Sequence, residues 1–185
     1  MTMKFRPDPD YRTKAVLLSD DEVHYKPLDM EFAFQTWRKQ GQYRLTGPFA
    51  RCVKKGKLDR WIYHNCKGMD YYSLALTGLV FTHVSYLEYF WSDNALMTKL
   101  REYVDEVFNC DDLAFNYMVA MLTCSGPLQV IGKVKAHLGK PKHGISTKPN
   151  HWKVRHQCLN DYADMFGYMP LMNTTEHLVR AMVRL

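Results

Sequence analysis

The stretch Lys14-Ala15-Val16-Leu17-Leu18-Ser19-Asp20-Asp21-Glu22 decides how the rest of the chain is read. A short apolar run of strand character, Ala15 to Ser19, ends in three acidic residues. In open α/β sheets ligands gather beyond the carboxyl ends of strands. Crowded carboxylates there resist ionisation unless a cation accompanies them. A divalent metal that prefers oxygen ligands (magnesium, calcium or manganese) is one such cation. A solvated acidic turn leading into a helix is the competing reading. Residues 27–39 follow with apolar side chains at helical spacing, namely Met30, Ala33, Phe34 and Trp37. Pro27 suits the first turn, Asp29 and Glu31 the positive end of the helix, and Arg38 and Lys39 its negative end. Gly41 closes it. The acidic cluster therefore falls in a strand-to-helix connection, where α/β proteins place ligand-binding groups.

Further along, 43–49 and 60–63 read as short strands around the turn-like Lys54-Lys55-Gly56-Lys57, with the basic residues of 51–60 as a solvated loop. Residues 72–81 read as a buried strand interrupted at Thr77-Gly78, since glycine in an apolar strand marks a bulge or the close approach of a ligand. A small helix carries Tyr86, Leu87, Tyr89 and Phe90. Residues 96–107 form an amphipathic helix (Leu96, Leu100, Tyr103, Val104, Val107) that Asn94 can cap. The helix predicted over 111–122 is apolar nearly all round and should be buried. Residues 128–134 read as a strand and 135–149 as a mobile loop. A final helix covers 151–166, ended by Gly167 and Pro170, with Cys158, Leu159, Tyr162, Met165 and Phe166 facing the core. The fold class expected is α/β.

The 185 residues, 46% hydrophobic, suit one domain with a sizeable core. Apolar runs fall well short of the ~20 residues that span a membrane, and the first ten residues lack the apolar core of a signal peptide. A soluble, untargeted chain is expected. The net charge of +6 is uneven. Residues 113–160 hold no Asp or Glu but contain Lys133, Lys135, Lys140, Lys142, Lys148, Lys153 and Arg155, with His137, His143, His151 and His156 among them. A basic half facing an acidic cluster suits an anionic ligand bridged by a metal. Nucleic acid competes for any basic patch, but no nucleic-acid-binding motif is present. The five cysteines show no C-x-x-C spacing, which argues against zinc, and their odd number permits at most two disulfides.

Two more groups carry chemistry. Asn109-Cys110-Asp111-Asp112 opens the buried helix; the macrodipole favours ionised carboxylates at such a start, and capping is their commonest role. His151 and Arg155, four apart, share a helix face. That pair can grip a diphosphate or form part of a solvated basic face.

Taken together the motifs resemble the C-terminal catalytic domain of the exostosin family, glycosyltransferase family 64, a GT-A-type fold. They fall in the family's order: Thr13-x-Ala15-Val16-Leu17 running into the acidic triplet; Tyr72-Ser73-Leu74-Ala75-Leu76-Thr77-Gly78; Asn109-Cys110-Asp111-Asp112-Leu113-Ala114-Phe115-Asn116; Arg155-His156-Gln157-Cys158-Leu159-Asn160; and Phe166-Gly167-Tyr168-Met169-Pro170-Leu171. The resemblance covers about 5–171 and implies a GT-A-like mixed sheet flanked by helices. It further implies a single, partial domain over 1–185, lacking the N-terminal part of the nucleotide-binding half that holds uridine and ribose.

The resemblance also implies roles. Asp20, Asp21 and Glu22 would form the nucleotide-sugar and manganese site, with Asp20 and Glu22 towards the metal; the family usually has Asp where Glu22 stands. Asp112 would lie beside the anomeric carbon, Asp111 would contact the donor sugar, and Asn109 would face the acceptor. Arg155 and His151 would contact the diphosphate, and Cys110 and Cys158 would form the family's disulfide. The activity implied is retaining transfer of a sugar, an N-acetylhexosamine, from a UDP-sugar to a glycan or glycolipid acceptor, with Mn2+ as cofactor. The lumen of the Golgi or endoplasmic reticulum would be its place, with membrane contact only through an anchor absent from this chain and no nucleic acid. The alternative is an inactive relative that binds anionic glycans such as heparan sulfate.

Overall fold

A computed structural model of the chain describes residues 1–137, 139 and 144–181. Lys140, Lys142 and His143 of the basic stretch lie outside the described residues.

The chain opens with a 3-10 turn, Thr2–Phe5, and enters strand β1 (Ala15–Ser19). Helix α1 (Pro27–Thr36) follows and runs on into a π-helical turn, Trp37–Gly41. Gly41 ends the helix by close packing rather than by a left-handed cap: a Cβ there would lie 2.4 Å from Thr46 Oγ1. Strands β2 (Thr46–Gly47), β3 (Ala50–Lys55) and β4 (Trp61–His64) come next. The basic run after Arg51 is thus largely strand, because Cys52 and Val53 bury their side chains between its charged residues.

The apolar run 72–81 divides at Thr77-Gly78 into β5 (Leu74–Ala75) and β6 (Leu79–His83), which join different sheets. Helices α2 (Val84–Phe90), α3 (Ala95–Val107) and α4 (Asp111–Thr123) follow, then β7 (Leu128–Ile131), α5 (His151–Phe166) and β8 (His177–Val179). Asn94 caps α3 by accepting from the Leu96 and Met97 amides.

The larger sheet is mixed, in the order β1-β6-β2-β7-β8: β6 is antiparallel to β1 and β2, while β2, β7 and β8 are parallel. The carboxyl ends of β1, β2, β7 and β8 therefore share one edge. The smaller sheet is antiparallel, β4-β3-β5. A mixed sheet flanked by helices is the α/β architecture expected.

The main core surrounds α4, whose residues 111–120 are all buried. Phe5 stacks on Phe115 with centroids 4.5 Å apart, and Phe90 packs edge-on against both. Tyr117 and Tyr162 pack edge-on between α4 and α5. Two buried amides lock helices to strands. Asn116 of α4 exchanges hydrogen bonds with both backbone groups of Ala75, and Asn160 of α5 does the same with Trp61. A second cluster of Ala33, Trp37, Phe81 and Val130 holds α1 on the sheet.

The Cys110–Cys158 disulfide ties the start of α4 to α5, Cys52–Cys66 staples the small sheet, and Cys124 is the remaining thiol. Asp29, expected to serve the positive helix end, is fully buried instead. It accepts from the Lys133 and Val134 amides at 2.9 and 3.1 Å and from the Arg180 guanidinium at 2.8 Å. Strand β8 carries no alternation that could announce it: its three residues, His177–Val179, add in register to β7.

Candidate functional site

The acidic turn is positioned by its backbone. Ser19 pairs with Leu79, and the Asp20 amide donates to Gly78 O at 2.9 Å, so Thr77-Gly78 and the acidic triplet lie side by side. His24 and His137 exchange both backbone hydrogen bonds, which sews the turn to the basic segment opposite.

The start of α4 arrives from the other side. Cys110 takes a left-handed conformation (φ 67°), and Asn109 Oδ1 accepts from its amide at 2.7 Å. That turn aims Asp111 and Asp112 inward. Helix α5 contributes Arg155, whose Nη2 donates to Asp112 Oδ2 at 2.7 Å, both side chains being nearly buried. One turn earlier, His151 Nδ1 lies 3.4 Å from Asn109 Nδ2. The small sheet adds Tyr63, with the Arg155 guanidinium 4.3 Å from its ring centroid.

These elements enclose one cavity of about 700 Å3. Asp20, Asp21, Glu22, Asn109, Asp111, Asp112, His151 and Arg155 all line it, bringing together the eight positions singled out in the sequence beside the disulfide. Four charged or aromatic lining residues escaped the sequence reading of the site. Lys4, carried by the turn that Phe5 anchors in the core, reaches Asp20 at 3.1 Å and Asp111 at 3.5 Å. Arg51 sits on β3 rather than in a solvated loop, while Tyr63 and Trp152 form an aromatic pair with centroids 5.2 Å apart. Their pattern is that of ordinary core and surface residues.

The electrostatics are uneven. Burial, then the charge on Asp112, raises the Asp111 carboxyl. Burial acts the same way on Asp112, but the charge and hydrogen bond of Arg155 outweigh it and hold that carboxyl below its ordinary range. Burial would lower the Lys4 ammonium; Asp111 and Asp20 overcome this and raise it. Burial, with Arg155 nearby, lowers His151 and keeps its imidazole neutral near pH 7.

Two buried polar atoms of lining residues, Thr77 Oγ1 and Arg155 Nε, lack a hydrogen-bond partner among the described residues. Four further atoms of that kind, on Trp37, Thr46, Thr82 and Trp91, belong to residues away from the cavity, so the two do not by themselves mark a ligand. Among the described lining residues, five carboxylates stand against Lys4, Arg51 and Arg155, a balance of −2 when all are ionised. Among the described residues no three His, Cys, Asp or Glu side chains converge to cage a metal. Hard oxygen donors with excess negative charge fit a divalent cation that takes its remaining ligands from a bound phosphate.

The profile of the glycosyl transferase family 64 domain matches residues 1–182. Exostosin-1 of Pongo abelii is 30% identical over 182 residues, covering 96% of this chain and 24% of its own length. Exostosin-1 of Drosophila melanogaster is 30% identical over 175 residues (94% and 22%), and an exostosin-like-3 homolog of Caenorhabditis elegans 27% over 168 residues (91% and 20%). The chain spans about a quarter of the length of the relatives it matches. With a matching profile over nearly all its residues, this chain belongs to glycosyl transferase family 64.

Proposed function

We propose that the chain is a manganese-dependent, retaining glycosyltransferase. It moves an N-acetylhexosamine from a UDP-sugar to a hydroxyl of a glycan or glycolipid. The observation that carries this reading is the cavity in which the paired Asp112–Arg155, Asp111 and the acidic turn Asp20-Asp21-Glu22 face one another. Family membership supplies the reaction class.

Glu22 and Asp20 would hold the metal, which when bound supplies Lewis-acid neutralisation of the departing diphosphate. Arg155 adds fixed positive charge that needs no reorganisation as the leaving group develops its own. Its bond to Asp112 keeps that carboxylate ionised in the buried cavity, suited to facing positive charge at the anomeric carbon. Neutral His151 can donate or accept at the diphosphate side. Asp111 contacts the donor sugar, and Asn109 faces the acceptor. The two disulfides fit an oxidising compartment such as the Golgi or endoplasmic reticulum lumen. No helix among the described residues is long and apolar enough to cross a membrane.

The test is a donor panel of UDP-hexoses and UDP-N-acetylhexosamines with manganese and saccharide acceptors, read by product mass and anomeric configuration. Transfer from a UDP-N-acetylhexosamine with retention is expected. Glycan binding without turnover of any donor would overturn the enzyme reading in favour of a non-catalytic glycan-binding relative.

A further inference from the structure

Asn173-Thr174-Thr175 is the one place in the chain where an asparagine is followed two residues later by serine or threonine, with no proline between. In chains that enter the secretory lumen this pattern accepts an oligosaccharide on the asparagine amide nitrogen. So short a pattern also arises by chance, and where the fold puts it decides whether a glycan can be carried.

Residues 173–175 lie between α5 and β8. Thr174 exchanges both backbone hydrogen bonds with Tyr72, at 3.0 and 2.9 Å. Extended pairing of this kind sends successive side chains to opposite sides. Thr174 turns inward: a Cβ on Gly126 would lie 3.0 Å from its Cγ2. Asn173 and Thr175 therefore leave together on the outer side, and both are exposed. The carboxamide of Asn173 is oriented as well. Its Oδ1 accepts from Ser73 Oγ at 2.7 Å, and Ser73 is itself buried, with its hydroxyl accepting from the Val53 amide at 3.3 Å. Asn173 Nδ2 makes no hydrogen bond among the described residues. A glycan on that nitrogen would project into solvent while the oxygen kept its bond to the small sheet.

The position also leaves the candidate site open. Asn173 does not line the cavity, and its partner Ser73 stands four residues before the lining residue Thr77, up to about 13 Å along an extended chain. Met172, exposed beside it, is an apolar side chain that a hydrophilic glycan would shield.

We propose that Asn173 carries an N-linked oligosaccharide. The donor is a saccharide on a lipid pyrophosphate. Asn173 Nδ2 forms a bond to the anomeric carbon, and the bond from that carbon to the pyrophosphate oxygen breaks. The lipid pyrophosphate leaves, and one amide proton passes to a base of the transferring enzyme. The proposal rests on the lumenal placement given above and not on the catalytic steps.

The whole chain, led into the endoplasmic reticulum of a eukaryotic cell by a cleavable signal peptide, is compared with Thr175→Ala, Thr175→Ser and Asn173→Gln. Thr175→Ala changes an exposed side chain and keeps the bond between Asn173 and Ser73, so it should fold as the wild type does. Wild type and Thr175→Ser should run slowly on a denaturing gel and shift down after treatment with peptide-N-glycosidase, which converts a glycosylated asparagine to aspartate. Peptide mass should place that conversion at position 173. Thr175→Ala and Asn173→Gln should run at the lower position with or without the enzyme. Thiol alkylation of the same material reports arrival in the lumen: wild-type chain with its disulfides formed and its mass unmodified overturns the site. Protease protection of the endogenous protein in sealed microsomes tests the lumenal placement separately. Digestion there would overturn that placement and the proposal with it, even where the signal-led chain is glycosylated.

Discussion

Asp111 and Asp112 are adjacent and both nearly buried, yet their carboxyls are pushed in opposite directions because only Asp112 is gripped by Arg155. Asp112 stays below the ordinary carboxylate range when folded. Its stabilisation is therefore complete above about pH 4, the unfolded value, and is lost as pH falls through the lower folded value. Asp112→Asn should remove transfer and lower stability at pH 7 by about 3 kcal/mol, since Arg155 is left buried without its counter-charge. Manganese-dependent donor binding should largely persist; near-wild-type transfer in that variant would sink its proposed role. Asp111 behaves inversely: its folded value is raised, so its charge costs stability as pH rises above the ordinary carboxylate range. Asp111→Asn should stabilise the fold at pH 7 by about 1 kcal/mol, a gain that fades near pH 4, and paired thermal melts across that range would reveal it. Both carboxylates were legible in the sequence as a loaded helix start. Their opposite environments were not, because Arg155 is 43 residues away.

At the level of elements, the junction of α4 with α5 carries the site. The Cys110–Cys158 bridge closes a loop of 48 residues, the Tyr162 hydroxyl donates to Cys110 O at 3.3 Å, and the Tyr117 hydroxyl to Leu159 O at 2.6 Å. Replacing both cysteines of this bridge by serine should cost about 4 kcal/mol on loop-entropy grounds and should loosen the Asp112–Arg155 pair with it. Chemical denaturation of the double variant checks the size of the loss. Thiol titration under denaturing conditions should find Cys124 alone before reduction and all five cysteines after it. Two free thiols beyond Cys124 before reduction would refute one bridge. The bounds of α5 were readable from periodicity and its closing glycine, whereas the strand read over 43–49 shrinks to Thr46–Gly47 and β8 was not read at all, because strands of two and three residues exist only through the neighbours they pair with.

Over the whole molecule, the distribution of charge governs what can bind. Among the described lining residues carboxylates outnumber cations by two, a balance that repels a bare diphosphate, and in a partly desolvated site that repulsion is severalfold stronger than in bulk water. Removing divalent cations with a chelator should therefore weaken UDP binding by at least about tenfold; manganese should restore it, and calorimetry with and without the metal measures the change. Equal affinity in both conditions would show that Lys4, Arg51 and Arg155 suffice. What the sequence determined by itself was local: the strand running into Asp20-Asp21-Glu22, the buried helix behind Asp111-Asp112, the helix face shared by His151 and Arg155, and the family these motifs resemble. Hydrophobic periodicity and turn chemistry act over a few residues, so they can be read from the chain directly. Only the tertiary structure decided that Lys4 and Arg51 join the same cavity, that Asp29 is an anchor rather than a helix-end charge, and that the apolar run 72–81 serves two sheets. Those outcomes depend on which distant residues share a buried volume, and there desolvation and pairing, not local propensity, set each side chain's role.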